Sequence, residues 1–206
     1  MTESSIVVSR PASPRELILL FHGVGATAAD LEPLARLVAQ NRQHAMVVSI
    51  EAPHPSSFGS GRQWFSVAGV TEENRPARVA AALPAFESAV RGRQADAGVS
   101  QANTILIGFS QGAIMSLEST QGGDVVLARR VVSISGRFAI APRLAPAGVS
   151  FRFVHGERDP VIDPRFAVEA VDHLRAMGAD ATATLIPNLT HGIDARAASA
   201  VLHSLQ

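Results

Sequence analysis

Leu17-Ile18-Leu19-Leu20-Phe21 is apolar at every position. A strand with one wet face alternates apolar and polar residues, so an unbroken run fits a strand buried on both faces, as in a parallel sheet covered by helices on each side. Residues 45–50, 104–107, 130–135, 150–155 and 182–186 read as further strands, and 6–8 as a weak first one. Helical spacing falls between them. Leu31, Leu34 and Val38 repeat after a Thr27–Asp30 cap; Val79, Leu83, Phe86 and Val90 repeat within 72–94, where Pro84 predicts a kink. Residues 110–121, 161–177 (Ala170, Leu174 and Met177 on one face, Gly178 ending it) and 194–205 complete the set. Strands alternating with helices predict an α/β fold: a mostly parallel, doubly wound sheet with helices on both faces. The length of 206 residues fits one domain over 1–206, without repeat or linker.

Composition narrows the function classes. Hydrophobic residues make up 47% and charged residues 17%, and 18 basic residues balance 18 acidic ones. No basic run or stripe points to nucleic acid. No charged patch is visible either, which argues against obligatory phosphate or nucleotide recognition. The absence of cysteine removes disulfides and thiolate metal sites. No apolar run reaches the length of a membrane span, and residues 1–5 lack a signal-peptide pattern, so a cytoplasmic location is expected. No metal and no cofactor are expected; a homodimer is one assembly the reading allows.

The chemistry is expected around Gly108-Phe109-Ser110-Gln111-Gly112, a Gly-x-Ser-x-Gly between the strand at 104–107 and the helix at 110–121. In that setting the serine sits on a sharp strand-to-helix turn with its hydroxyl exposed. The bare pattern also describes any small-residue turn packing a helix on a strand, so the other strand ends must decide. In doubly wound sheets ligands bind beyond the carboxyl ends of the strands. The strand at 150–155 ends in His155-Gly156-Glu157-Arg158-Asp159, and the last strand is followed by Asn188-Leu189-Thr190-His191. Ser110, Asp159 and His191 thus appear in the order of an α/β-hydrolase triad. His191 would take the serine proton and return it to the leaving group, and Asp159 would hold the imidazole tautomer. The backbone N–H groups of Gln111 and of Val24, in the loop after the strand at 17–21, are candidate oxyanion donors.

Each choice has a competitor. Asp163 precedes Pro164 and a helix, which suits an N-cap better than a catalytic acid. Glu157 is the weaker alternative. His22 and His155 also sit at strand ends, where a histidine beside a glycine turn commonly anchors a loop by hydrogen bonds. His44, His54, His173 and His203 read as surface or helix residues. Residues 51–71 show no periodicity and contain Trp64 and Phe65; such a loop in a compact domain is commonly functional, although Trp64 also suits a core.

The chain resembles the α/β-hydrolase superfamily, and within it the carboxylesterase/phospholipase group that includes acyl-protein thioesterases, in particular its small bacterial esterases. The resemblance rests on Leu20-Phe21-His22-Gly23-Val24-Gly25, Gly61-Arg62-Gln63-Trp64-Phe65-Ser66, Gly108 to Ala113, His155 to Asp163, and Thr190-His191-Gly192. It implies Ser110, Asp159 and His191 as triad, Val24 and Gln111 as oxyanion donors, and hydrolysis of acyl esters or thioesters through an acyl-enzyme. Many members carry an acidic residue where this chain has Ala26, which implies a changed loop contact. Only residues 136–149 separate two strands between which many hydrolases insert a cap. An open groove without a cap domain is expected, lined by Trp64, Phe65, Phe138 and Leu144. Alternatives are a lysophospholipase, an acyl-protein thioesterase, or a catalytically silent fold that binds a hydrophobic ligand.

Overall fold

A computed structural model describes residues 5–122 and 126–206. In chain order the elements are β1 (Ile6–Ser9), β2 (Glu16–Phe21), α1 (Glu32–Asn41), β3 (Ala45–Ile50), β4 (His54–Pro55), β5 (Arg62–Gln63) and α2 (Arg75–Ala97). Then follow β6 (Thr104–Phe109), α3 (Gln111–Glu118), β7 (Arg130–Ile134), β8 (Ser150–Gly156), α4 (Arg165–Ala176), β9 (Asp180–Ile186) and α5 (Ala195–Ser204). Seven strands form one sheet in the order β1-β3-β2-β6-β7-β8-β9. All neighbours are parallel except β1, which runs antiparallel along β3. The expected mostly parallel α/β sheet is therefore present.

Each residue of β2 from Leu17 to Phe21 is fully buried. Leu17, Leu19 and Phe21 face one side and pack with Val79, Phe86 and Met115. Ile18 and Leu20 face the other and pack with Leu34, Val38 and Val201. A strand alternates its side chains across the sheet, so only an unbroken apolar run can serve both layers. On the first side an aromatic cluster closes the core. The Phe21 and Phe86 ring centroids are 4.5 Å apart, and Trp64 meets Phe86 edge-on at 5.0 Å.

Several boundaries differ from the sequence reading. The second long helix starts at Arg75 and runs to Ala97, passing through Pro84 as one element. Thr71–Asn74 instead forms a turn in which the Thr71 N–H donates to the Asn74 carbonyl oxygen of the side chain and the Asn74 N–H to the Thr71 hydroxyl. The helix after the motif ends at Glu118. Residues 51–71 are not wholly irregular: β4 and β5 pair within them. Between Thr27 and α1 lies a short 3-10 turn, and the expected Thr27–Asp30 cap forms there through two 2.8 Å bonds to the Asp30 carboxylate.

Truncation of Phe86 to Ala removes the ring shared by Phe21 and Trp64. It is expected to destabilise the fold by about 3–5 kcal/mol, measured by urea denaturation.

Candidate active site

The turn from β6 into α3 is sterically forced. A Cβ at Gly108 would overlap the Ala113 backbone, and one at Gly112 would overlap the Phe21 carbonyl at the end of β2. Between them Ser110 adopts φ 53°, ψ −115°. Positive φ on a non-glycine residue costs on the order of 1–3 kcal/mol and persists only where the surroundings impose it. Here the Ser110 N–H is tied to the Ile134 carbonyl of β7 at 2.9 Å, and its own carbonyl accepts from Ala113 and Ile114.

Three strand ends meet at this serine. His191 lies after β9, and its Nε2 is 2.9 Å from Ser110 Oγ. Its Nδ1–H donates to Asp159 Oδ2 at 2.7 Å. The Phe109 ring packs against the imidazole at 5.1 Å between centroids. Asp159 Oδ1 accepts the amides of Val161 (2.8 Å) and Ile162 (2.9 Å). Burial alone would raise the Asp159 pKa. The Ile162 amide, the His191 N–H and the Val161 amide outweigh that effect and hold the carboxyl below its ordinary value of 3.8. The alternative carboxylates lie elsewhere. Asp163 is half exposed and caps the first turn of α4 through the Arg165 N–H, and Glu157 is exposed.

His22 and His155 are loop anchors. The fully buried His22 donates from Nδ1 to the Gly23 carbonyl at 2.7 Å and accepts the Ala52 N–H at Nε2. These partners fix a neutral tautomer, and burial lowers the pKa of the ring. They also fix the Gly23–Val24 peptide. In a trans peptide the C=O and N–H point in opposite directions, so holding the Gly23 carbonyl against His22 turns the Val24 N–H away from it. Gly23 approaches Ser110 so closely that a Cβ there would sit 3.1 Å from the serine Cβ. Among the described residues Val24 N–H has no protein acceptor. Gln111 opens α3, so its N–H has no acceptor inside the helix. Ala26, where an acidic side chain was the family expectation, holds this loop by backbone instead: its carbonyl accepts the Arg62 N–H at 2.8 Å, and the Arg62 carbonyl accepts the Gly25 N–H. His155 Nε2–H donates to the Ile162 carbonyl at 2.9 Å, with Asp159 Oδ2 at 3.3 Å.

A cleft of about 960 Å³ opens over Ser110 and His191, walled by Val24, Phe65, Val67, Val70, Ile114 and Phe166 among others. Phe65 lines it as expected; Trp64 and Phe138 do not. Trp64 is turned into the aromatic core, where its ring pairs with Phe21 and Phe86. Phe138 is buried against Phe151 and Phe153, below a separate hollow. Leu144 is exposed and lies outside the cleft. The sequence reading missed the Gln111 side chain. Its Oε1 accepts the Trp64 N–H at 2.7 Å and its Nε2 donates to the Phe65 carbonyl at 2.8 Å. This buried amide fastens the wall to the motif helix. Its only sequence signal is a polar residue at a position that topology buries.

The family model for Phospholipase/Carboxylesterase matches residues 2–206. The chain belongs to that family. It is 42% identical to Esterase YpfH of Escherichia coli (strain K12), over all of this chain and 89% of that protein. It is 20% identical to Acyl-protein thioesterase 1 homolog 1 of Dictyostelium discoideum, over 84% of this chain and 82% of that one. The crystal structure of esterase PE8 superposes with TM-score 0.86 at 24% identity, covering 98% of this chain and 95% of that chain. The carboxylesterase from Mesorhizobium loti gives 0.79 at 22%, covering 98% and 99%.

Two outcomes follow from this geometry. Gln111→Leu leaves the buried Trp64 N–H and Phe65 carbonyl unpaired and is expected to cost about 1–3 kcal/mol for each group, read from urea denaturation. Asp159 has a folded pKa below its unfolded one, so its stabilisation is present above the unfolded value near 3.8 and is lost as pH falls through the folded value. The stability gap between wild type and Asp159→Asn should therefore hold from pH 7 to about 5 and close in stronger acid.

Proposed function

We propose that the protein is a serine carboxylesterase whose reaction runs through an acyl-enzyme on Ser110. One observation carries the reading: the continuous chain from Ser110 Oγ to His191 Nε2, and from His191 Nδ1 to Asp159 Oδ2, at 2.9 and 2.7 Å. Ser110 Oγ attacks the ester carbonyl carbon while its proton passes to His191 Nε2. The carbonyl oxygen gains the negative charge and is held by the Val24 and Gln111 N–H groups, each contributing about 3–4 kcal/mol to the transition state. His191 then protonates the leaving alcohol. Water repeats the sequence on the acyl-enzyme, with His191 as base, and releases the acid. Asp159, held ionised by two amides, stabilises the imidazolium formed at each step.

The reaction class agrees with family membership and with the 42% identical esterase. A thioester substrate is the second reading, favoured by the acyl-protein thioesterase among the relatives. The same attack serves both, since sulfur merely replaces oxygen in the leaving group. A silent ligand-binding role is disfavoured because strain, tautomer control and free oxyanion donors all converge on one hydroxyl.

A fluorophosphonate probe should label the wild type and leave Ser110→Ala unlabelled. Hydrolysis of short 4-nitrophenyl esters should fall by about 10³-fold or more in Ser110→Ala and His191→Ala.

A further inference from the structure

The cleft has a charged end that neither the triad nor the oxyanion loop uses. Arg75, the first residue of α2, and Arg137, just beyond β7, both line it together with Glu72. The two guanidiniums are largely withdrawn from water, with side-chain exposures of 16% and 10%. They share one carboxylate. Glu72 meets Arg75 at 2.6 Å and Arg137 at 3.0 and 2.8 Å, yet its own side chain is 68% exposed. Arg137 is fixed from two further directions: its Nε donates to the Phe138 carbonyl, and its guanidinium lies 3.7 Å from the centroid of the Phe166 ring. A third arginine, Arg165, also lines the cleft, but Asp163 lies beside it at 3.5 Å, and that pair is exposed.

Charge accounting leaves this end positive by one, because two sequestered cations face a single anion. The N-terminus of the 23-residue α2 adds to it. No acidic residue stands in its first turn and no side chain caps it, so Glu72, before the helix, is shared between this positive dipole end and the two arginines. Burying guanidinium groups is unfavourable unless anions complete them. The one anion present is held from the solvent side, where a competing group can displace it. A planar carboxylate fits a guanidinium through paired N–H bonds.

On the basis of the ester-hydrolase reading above, we propose that the Arg75–Arg137 end is an anion subsite, and that the preferred substrates are esters bearing a carboxylate a few carbons from the scissile bond. The apolar walls Val67, Val70 and Ile114 cover the intervening methylenes, and the substrate carboxylate takes the place of Glu72 on one or both arginines. The dispersed positions of residues 72, 75 and 137 hid this patch from the sequence.

Two pairs of substrates test the proposal and separate the acyl from the alcohol portion. In the first, 4-nitrophenyl hydrogen adipate is compared with the corresponding adipamate, in which an amide replaces the carboxylate. In the second, 6-butyryloxyhexanoate is compared with its amide, following butyrate release. The wild type should favour the anionic member of at least one pair by about tenfold in kcat/KM, chiefly through KM. Arg75→Gln and Arg137→Gln should each bring that ratio towards one, and Glu72→Gln should raise it. Should Arg137→Gln fail to fold, Arg75→Gln and Glu72→Gln still move the ratio in opposite directions. A wild-type ratio of one or less in both pairs overturns the subsite, as does a ratio that none of the variants changes. Failure to cleave even the neutral members would instead bring down the ester-hydrolase reading on which the subsite rests.

Discussion

The Ser110 site depends on how closely the first turn of α3 can approach the ends of β2 and β6. Two missing Cβ atoms, at Gly108 and Gly112, set that distance. With the helix so close, the chain at Ser110 has no relaxed path from strand to helix and takes a positive φ. The hydroxyl is thereby lifted beyond the sheet edge, within reach of a histidine supplied by the far end of the sheet. The strain is local. The surrounding parallel ladder and two-sided core make it tolerable, because the neighbouring strands cannot shift to relieve it.

Around the serine each polar partner is itself fixed by another. Asp159 is oriented by two amides of its own loop, His191 by Asp159 and by the Phe109 ring, and the Val24 peptide by His22. Groups that need no rearrangement during the reaction act most strongly on developing charge. The two buried histidines, whose pKa values burial lowers, provide rigid hydrogen bonds close to Ser110.

Much of this was legible in the sequence. The unbroken apolar run of β2 announces a two-sided core, and strand ends in a doubly wound sheet converge, so residues following three strands, Ser110, Asp159 and His191, come together. The roles of His22 and His155 as anchors were legible from their glycine neighbours. Side-chain direction within irregular segments was not. Trp64 and Phe65 are adjacent, yet one completes the Phe21–Phe86 cluster while the other faces the cleft. Phe138 follows Arg137, and here the charged residue faces the cleft while the aromatic one is buried. No periodicity applies in such loops, so partition between core and site depends on contacts between remote parts of the chain. The same holds for the Gln111 amide and for the arginines gathered from α2 and from the segment after β7.

The motif helix is fastened at both ends. At its start Gln111 grips the Trp64–Phe65 backbone; at its finish Glu118 accepts the Ala139 N–H and pairs with Arg143, while Gln121 accepts the Arg143 and Leu144 amides. All eight residues of α3 are buried. The Trp64–Phe65 wall and the short β7–β8 connection are thus both strapped to this one buried helix. Such a site cannot adapt to a bulky guest by shifting Ser110. Accommodation falls to the exposed lip, where Val161 stands largely in solvent and Glu72 is held by ion pairs alone. Substitutions at the lip can therefore reshape the cleft without disturbing the buried helix or the hydrogen bonds that strap it.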